Sequence, residues 1–572
     1  MKRVLLLACA LAACGYDGTV GALPVPSGPN HDVIGFHGDR AKLGWASHEP
    51  ALHRDRVRAG MTKLWESPVL DSVTLGDGIV RGPHLYASPL FVPALDYETP
   101  TARGTTSVVL AATSNGFVYA IDAATSAGRA GSVLWRTQLT HPEVIPKLDG
   151  GVALGILSTP ILDTTTSPPT LYVAAHEAQR GWRVFALDAR SGEVRPGWPV
   201  DIDDAALAER NTNGPARFQA SVEMSQRGAL ALSPLGDRLY VTFGSFAFAS
   251  VGWIVSIDTG AHRIAAAFSS APELAFRSHG GMWGAGGPAV AVDGHVLVAT
   301  GNAPPGTGPA LHAWGNSLLE LSPDLVLKSA YTPFNYCKLD ENNIDLAGSA
   351  PLIMPRGTRV IIGGKQGNVY LVTRARMWIG ERRPPCSTDP TTDGSEHSQF
   401  GAPLNVFGPL TDDYGQLDYA KMRSRPAWFA NANGGFVFVS GSTKAAADSI
   451  VNVPPSIARL RVTAEEGASG YLQLDKTNPT IAFVNPGSPV VTSDGPNEPV
   501  VWVVDENARR TASLLDPATP GPVLYAFDGE TLDLLWRSAD GELAVGGKYV
   551  TVAVGGGAVI VGTDRVQAFA PR

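Results

Sequence analysis

Few residues of this 572-residue chain stand at the spacing chemistry needs. His37, Asp39 and Arg40 crowd into VIGFHGDRAKLGW (residues 33–45), a tight polar trio suited to latching the first segment onto the rest of the domain. GMWGAGGPAVAVDGHVLVATGN (residues 281–302) carries Trp283 in a glycine run and Asn302 in a closing Thr-Gly-Asn. TPFNYCKLDENNIDLAG (residues 332–348) carries Asp340 and Asp345, and GGKQGNVYLVTR (residues 363–374) carries Lys365. Read alone, Trp283 is a packing indole and Asn302 caps a turn after a strand. Lys365 is then a loop charge or ion-pair partner, and both aspartates are turn residues. His84, His176 and His279 lie too far apart in sequence to define a metal site. No nucleophile motif, phosphate loop or paired-carboxylate signature stands out.

The first residues read as an address. Lys2 and Arg3 precede an apolar run, residues 4–13, that is too short to span a bilayer. The run ends in Leu11-Ala12-Ala13-Cys14, similar to the bacterial lipoprotein signal, in which the cysteine is lipidated and becomes the new N-terminus. Residues 1–13 are therefore expected to be a signal peptide and Cys14 the lipid anchor, held by several acyl chains. Gly15 in place of Asp points to the outer membrane, with periplasmic and surface faces both open. An ordinary signal peptide is the alternative. With Cys9 removed and Cys14 lipidated, Cys337 and Cys386 are the remaining thiols in an oxidising compartment, and a disulfide between them is expected. Two separate loop cysteines are the other reading.

Residues 14–31 are rich in Gly and Pro and read as a tether; residues 32–572 form the folded domain. Gly (63) and Pro (44) are scattered between short apolar runs, which means many turns rather than disorder. Net charge is −8 with no Lys/Arg cluster, which argues against nucleic acid as a partner. Strands come in sets of four, at roughly 45–75 residues per set. The regular sets include ASPLFVP, SVVLAAT, GFVYAIDAAT and SVLWRTQL in residues 87–139, and GSPVVTSD, PVVWVVDEN and GPVLYAFDGETLDLLW late in the chain. The sixth set, from FGAPLNV through AWFA, FVFVSGS and IARLRVTAEE, is the least regular. The last set, KYVTVAV, AVIVGTD and RVQAFA, lacks a fourth strand, and an early orphan, TKLWESP (residues 62–68), supplies one.

This pattern predicts an all-β chain: an eight-bladed β-propeller of four-stranded antiparallel blades, closed by an N-terminal strand. A seven-bladed ring is the rival count. Closure matters because an open ring would leave unpaired strand edges.

A repeat runs through the blades, Ala-x-Asp followed some residues later by Trp: AIDAAT…LW (residues 120–135), ALDARSGEVRPGW (residues 186–198) and AFDGETLDLLW (residues 526–536). It resembles the tryptophan-docking repeat of quinoprotein alcohol dehydrogenases and their non-catalytic relatives. Wider segments resemble bacterial secreted propellers with such pyrroloquinoline-quinone-like repeats. In the dehydrogenases the quinone lies on the axis between a Trp and a disulfide of adjacent cysteines, calcium is held by Glu, Asn and Asp oxygens, and an Asp is the general base. The resemblance would place Trp283 on the stacking Trp and Asn302 on the calcium-ligating Asn. It would place Asp340 or Asp345 on the catalytic acid, and Lys365 on the basic residue near the quinone.

The departures are equally specific. No adjacent cysteine pair exists, and TFGSFAFASVGWIVSID (residues 242–258), with Phe246, Ala247 and Phe248, offers no carboxylate where the Glu ligand belongs. No Cys-x-x-Cys-His is present to carry a haem. The expectation is a membrane-anchored lipoprotein whose propeller is a non-enzymatic scaffold for a protein or small ligand, with no cofactor. The alternative is a divergent dehydrogenase using pyrroloquinoline quinone and calcium on an alcohol or sugar. Polysaccharide binding or cleavage on the same fold stays open.

Overall fold

A computed structural model describes residues 32–144, 150–218, 224–246, 251–272, 280–387, 404–406, 422–441, 456–463, 471–508 and 512–572. The proposed signal, Cys14 and the tether lie outside them, as do Ala247, Phe248 and His279.

Eight antiparallel sheets follow one another around a ring. The first blade comprises Leu90–Glu98, Arg103–Ala112, Phe117–Asp122 and Val133–Gln138, each strand paired with the next. The innermost strands of blades two to eight are Ile161–Asp163, Ala231–Leu232, Ala289–Val290, Leu352–Ile353, Ala427–Asn431, Val490–Asp494 and Ala553–Gly555. Pro89, Pro160, Pro288, Pro351, Pro426 and Pro489 each stand immediately before an innermost strand. Such a strand has a free edge on the channel, so a residue without an N–H sits there at no cost to the ladder.

The ring closes as the orphan strand requires. Met61–Glu66 pairs antiparallel with Val566–Pro571, joining the two ends of the chain in the eighth blade. The irregular sixth set is re-divided. Leu404–Asn405, within FGAPLNV, is the outermost strand of blade five, paired with Asn368 and Val369. Blade six is completed instead by Tyr471–Thr477, whose polar alternation reads weakly in the sequence.

The core is not central. Each apolar layer lies between two neighbouring blades: Val108, Leu110, Val118 and Ala120 of blade one pack with Leu171, Val173, Phe185 and Leu187 of blade two. The docking tryptophans bolt these layers. The Trp135 indole N–H donates to Ala189 O at 3.2 Å in the next blade, Trp198 lies 5.3 Å from His262, and Trp536 lies 6.0 Å from Phe569. Gly192, in a left-handed conformation, leaves room for Trp135; a Cβ there would lie 2.5 Å from the ring. The aspartates of the repeat make the turns: Asp122, Asp188 and Asp528 each accept the N–H two residues on.

The segment ahead of the closing strand does latch onto the ring, by threading into one end of the channel. Val33 exchanges hydrogen bonds with Phe91 of blade one, and Leu162 of blade two donates to Ile34 O at 2.7 Å. Arg40 pairs with Asp163 at 2.8 Å and donates to Ser233 O of blade three. Trp428 of blade six donates to Leu43 O, and Trp45–Ala46 adds a parallel strand along Val491 and Thr492 of blade seven. Gly557 of blade eight donates to Glu49 Oε2 at 3.1 Å. Asp39 of the polar trio folds back on its own loop and accepts the N–H of Ala41. Asp163, Ser233 and Ser493 lie at or just past the far ends of their innermost strands, so this plug fills the far mouth.

Candidate functional site

The near mouth is built by loops that run into the starts of the innermost strands. Trp283 lies on the loop entering blade four, and Asp345 on the loop entering blade five. Lys365 sits in the tight turn between Arg359–Gly363 and Asn368–Thr373 of blade five. These residues converge. The backbone N–H of Asn302 donates to Asp345 Oδ1 at 2.9 Å, and Lys365 Nζ is paired with Asp345 Oδ2. The same ammonium lies 5.3 Å from the centroid of the Trp283 ring, close enough for a cation–π contact. Gly301 makes the approach possible: a Cβ there would meet Asp345 Oδ1 at 2.4 Å. Burial pulls the Lys365 ammonium below its usual range, with Asp345 opposing and Arg423 reinforcing that shift.

Asp340 goes elsewhere. It sits on the short helix Tyr336–Glu341, where Oδ2 accepts Arg383 Nη1 at 2.9 Å and Oδ1 accepts Ala303 N and Asn316 Nδ2. Burial raises its carboxyl above the usual range, with the Arg383 guanidinium opposing. Every oxygen of this aspartate braces structure behind the mouth, since Asn316 in turn accepts Leu346 N beside Asp345. Cys337 on the same helix is bonded to Cys386, with Cα atoms 6.0 Å apart, which ties the helix to the strand-less segment bearing Arg383. Of the two aspartates, Asp345 is the one that meets Lys365 beside Trp283.

Five further residues complete the mouth. Arg227, before blade three, lies 5.2 Å from the Tyr549 ring and 5.8 Å from the Phe246 ring. Tyr549, before blade eight, lies 6.3 Å from Trp283. Arg423, before blade six, donates to Asn485 Oδ1 at 3.4 Å. Asn485 binds Glu506 Oε2, and Glu506 Oε1 accepts the backbone N–H of Tyr549. That carboxylate holds Tyr549 at a φ of 66°, a conformation a bulky residue adopts only when its surroundings impose it. Sequence reasoning misses these five because none carries a motif. The usable signal is register: Arg227, Arg423, Asn485 and Tyr549 occupy the stretch just ahead of an innermost strand, as Trp283 does.

The donor set does not fit calcium. A calcium ion takes six to eight oxygens, several of them anionic. Asp345 already holds an ammonium on one oxygen and a backbone N–H on the other, and Phe246, which packs on Arg227, offers no oxygen. Among the described residues no three His, Cys, Asp or Glu side chains gather as metal ligands. His84 Nδ1 lies 3.1 Å from Gly546 O, and His176 lies 3.8 Å from Glu143, in separate settings. For a flat quinone, Trp283 would supply one wall. The disulfide that would form the other is placed behind the mouth and joins residues far apart in sequence.

No protein-family model and no curated protein matches the chain. Solved structures do match its fold. Quinohemoprotein alcohol dehydrogenase from Comamonas testosteroni aligns over 94% of this chain and 80% of its own, at 14% identity and a TM-score of 0.54. A europium-containing methanol dehydrogenase aligns over 93% and 90%, at 14% identity and a TM-score of 0.53. The chain shares the eight-bladed propeller fold of these two enzymes. At such identities the likeness extends to the fold alone.

Proposed function

We propose that this chain is an envelope lipoprotein, anchored through Cys14, whose propeller is a non-catalytic receptor for a flat anion such as an aromatic or quinoid carboxylate. The observation that carries this is the makeup of the near mouth. Arg227 lies over the Tyr549 ring and Lys365 over the Trp283 ring, with Arg423 acting on Lys365, while Asp345 and Glu506 are each engaged by protein donors. With Lys365 matched by Asp345, a chain of net charge −8 still leaves the mouth one excess positive charge beside two aromatic faces. Cations satisfy carboxylates, and ring faces cover a flat ligand. Among the described residues no helix is long and apolar enough to cross a membrane, so the lipid is the proposed attachment.

Equilibrium titration followed by tryptophan fluorescence tests this reading, with pyrroloquinoline quinone and simpler aromatic polycarboxylates as probes. Binding should survive a calcium chelator and weaken about tenfold in Lys365→Met, a loss of one charge-assisted contact. No saturable binding by any probe would refute it. The convergence of Trp283, Asp345 and Lys365 also supports a second reading, a divergent quinone-dependent dehydrogenase. Calcium-dependent quinone binding, with alcohol-driven dye reduction that disappears in Trp283→Ala, would establish that reading instead. Fractionation of Cys14→Ser checks the anchor, since release from the membrane is expected.

A further inference from the structure

Deeper in the channel, where the plug meets the innermost strands, positive charge is buried without a matching carboxylate. Lys42 is 1% exposed, and its ammonium rests on Gly286 O at 3.1 Å and Pro288 O at 3.0 Å. Arg425, equally buried, gives Nε to Lys42 O at 3.1 Å, and its backbone N–H donates to the Ser488 hydroxyl. Both of its Nη atoms are buried with no protein partner. His37, 5% exposed, stacks on Phe36 with ring centroids 4.6 Å apart, and its imidazole faces the Lys42 backbone. The carboxylate that acts on Arg425 is Asp39, which is solvent-exposed on the plug's outer turn.

A guanidinium stripped of water, with both Nη groups unsatisfied, is costly to bury. His37 and Lys42 both adopt left-handed φ values, 63° and 52°, so the plug's backbone is bent to place these side chains here. Burial, Arg425 and Lys42 hold the His37 imidazole well below its usual range, opposed by its hydrogen bond to the Lys42 backbone.

We propose that a chloride ion occupies the channel between plug and ring, held by the two Nη groups of Arg425, with Lys42 and the His37 ring beside it. Chloride suits the place because it is monatomic, accepts from every direction and needs no donor in return. His37 and Lys42 come from the plug and Arg425 from the loop entering blade six, so the ion fastens the N-terminal segment to the ring. This site lies next to the near mouth, Arg425 standing two residues along the chain from Arg423, but its test involves no mouth ligand.

The experiment is crystallography of the full chain grown in bromide, together with thermal unfolding in chloride and in gluconate at equal ionic strength. An anomalous bromide peak beside Arg425 and His37 is expected. Unfolding should occur at least about 2 °C higher in chloride, saturably, because a ligand that binds only the folded state stabilises it by mass action. Arg425→Met should abolish the difference between the two salts. If that variant does not fold, the wild-type bromide map decides. Water alone in the map, or equal unfolding in both salts, would overturn the proposal.

Discussion

The Lys365 ammonium is shared between the Asp345 carboxylate and the face of Trp283, 5.3 Å from the ring centroid. The pair is nearly sealed from water, with side chains 13% and 8% exposed. Breaking it from one side leaves a buried charge unmatched. Lys365→Met and Asp345→Asn should each lose about 3 kcal/mol, and the double variant should lose less than the sum by about 2 kcal/mol. Guanidinium unfolding midpoints of the four proteins measure this; strictly additive losses would show that the two groups are not coupled.

Trp135 reaches from blade one to Ala189 of blade two and fills the space left by Gly192. Trp135→Ala should destabilise the ring by about 3–5 kcal/mol, through lost burial and the cavity left behind. Gly192→Ala should cost a comparable amount, because its Cβ would strike the indole and its φ is left-handed. Calorimetry on both variants checks this, and a wild-type transition in either would remove the docking role.

Chain ends meet at the closing blade, where Arg572 N donates to Gly60 O at 3.1 Å. Deleting residues 1–66 should expose an open strand edge and yield aggregated or dimeric protein. Moving the Met61–Glu66 strand behind Arg572 on a short turn should restore a monomer. Size-exclusion chromatography distinguishes the two outcomes.

Glu49 of the plug is pushed up to about 7 by burial, only partly offset by the Gly557 N–H. Its folded value exceeds the ordinary carboxylate value, so the folded state binds the proton more tightly. Stability from this group is present below about pH 4.5 and is lost as pH rises through about 7, by up to about 3 kcal/mol. Glu49→Gln should therefore gain on the wild type as pH rises from about 5 to about 8. Parallel urea titrations at several pH values would show it, and a pH-independent difference would remove Glu49 as the source.

The Cys337–Cys386 bond spans a sequence separation of 49 residues. Its double replacement by serine should cost about 2–4 kcal/mol and loosen the helix that carries Asp340. Thermal unfolding with and without reductant reads the same loss in the wild-type chain.

The propeller is legible because most blades carry local marks. A proline opens six of the eight innermost strands, alternation marks the strands, and three sets end in the Asp turn and Trp of the repeat; each signal needs only neighbours in sequence. The orphan strand at residues 62–68 is legible by elimination, since the last blade lacks one. Tyr471–Thr477 is harder, because an outermost strand faces solvent and its alternation is weak. The axial mouth is half visible. Trp283, Asn302, Asp345 and Lys365 stand out through resemblance, and Asp340 stands beside Asp345 with nothing local to separate them.

The repeat, the ring and its closure were determined by the sequence alone, all as consequences of short-range patterning. Which side chains meet was decided only by the tertiary structure. Arg227, Arg423, Asn485, Glu506 and Tyr549 come from well-separated stretches of the chain, and Lys42 meets Arg425 across 383 positions. A propeller brings one loop of each blade to the same axis, so its sites are assembled from residues whose separation in sequence is set by blade length. Only the closed ring places them together, and only there do the engaged carboxylate of Asp345 and the cationic setting around it become apparent.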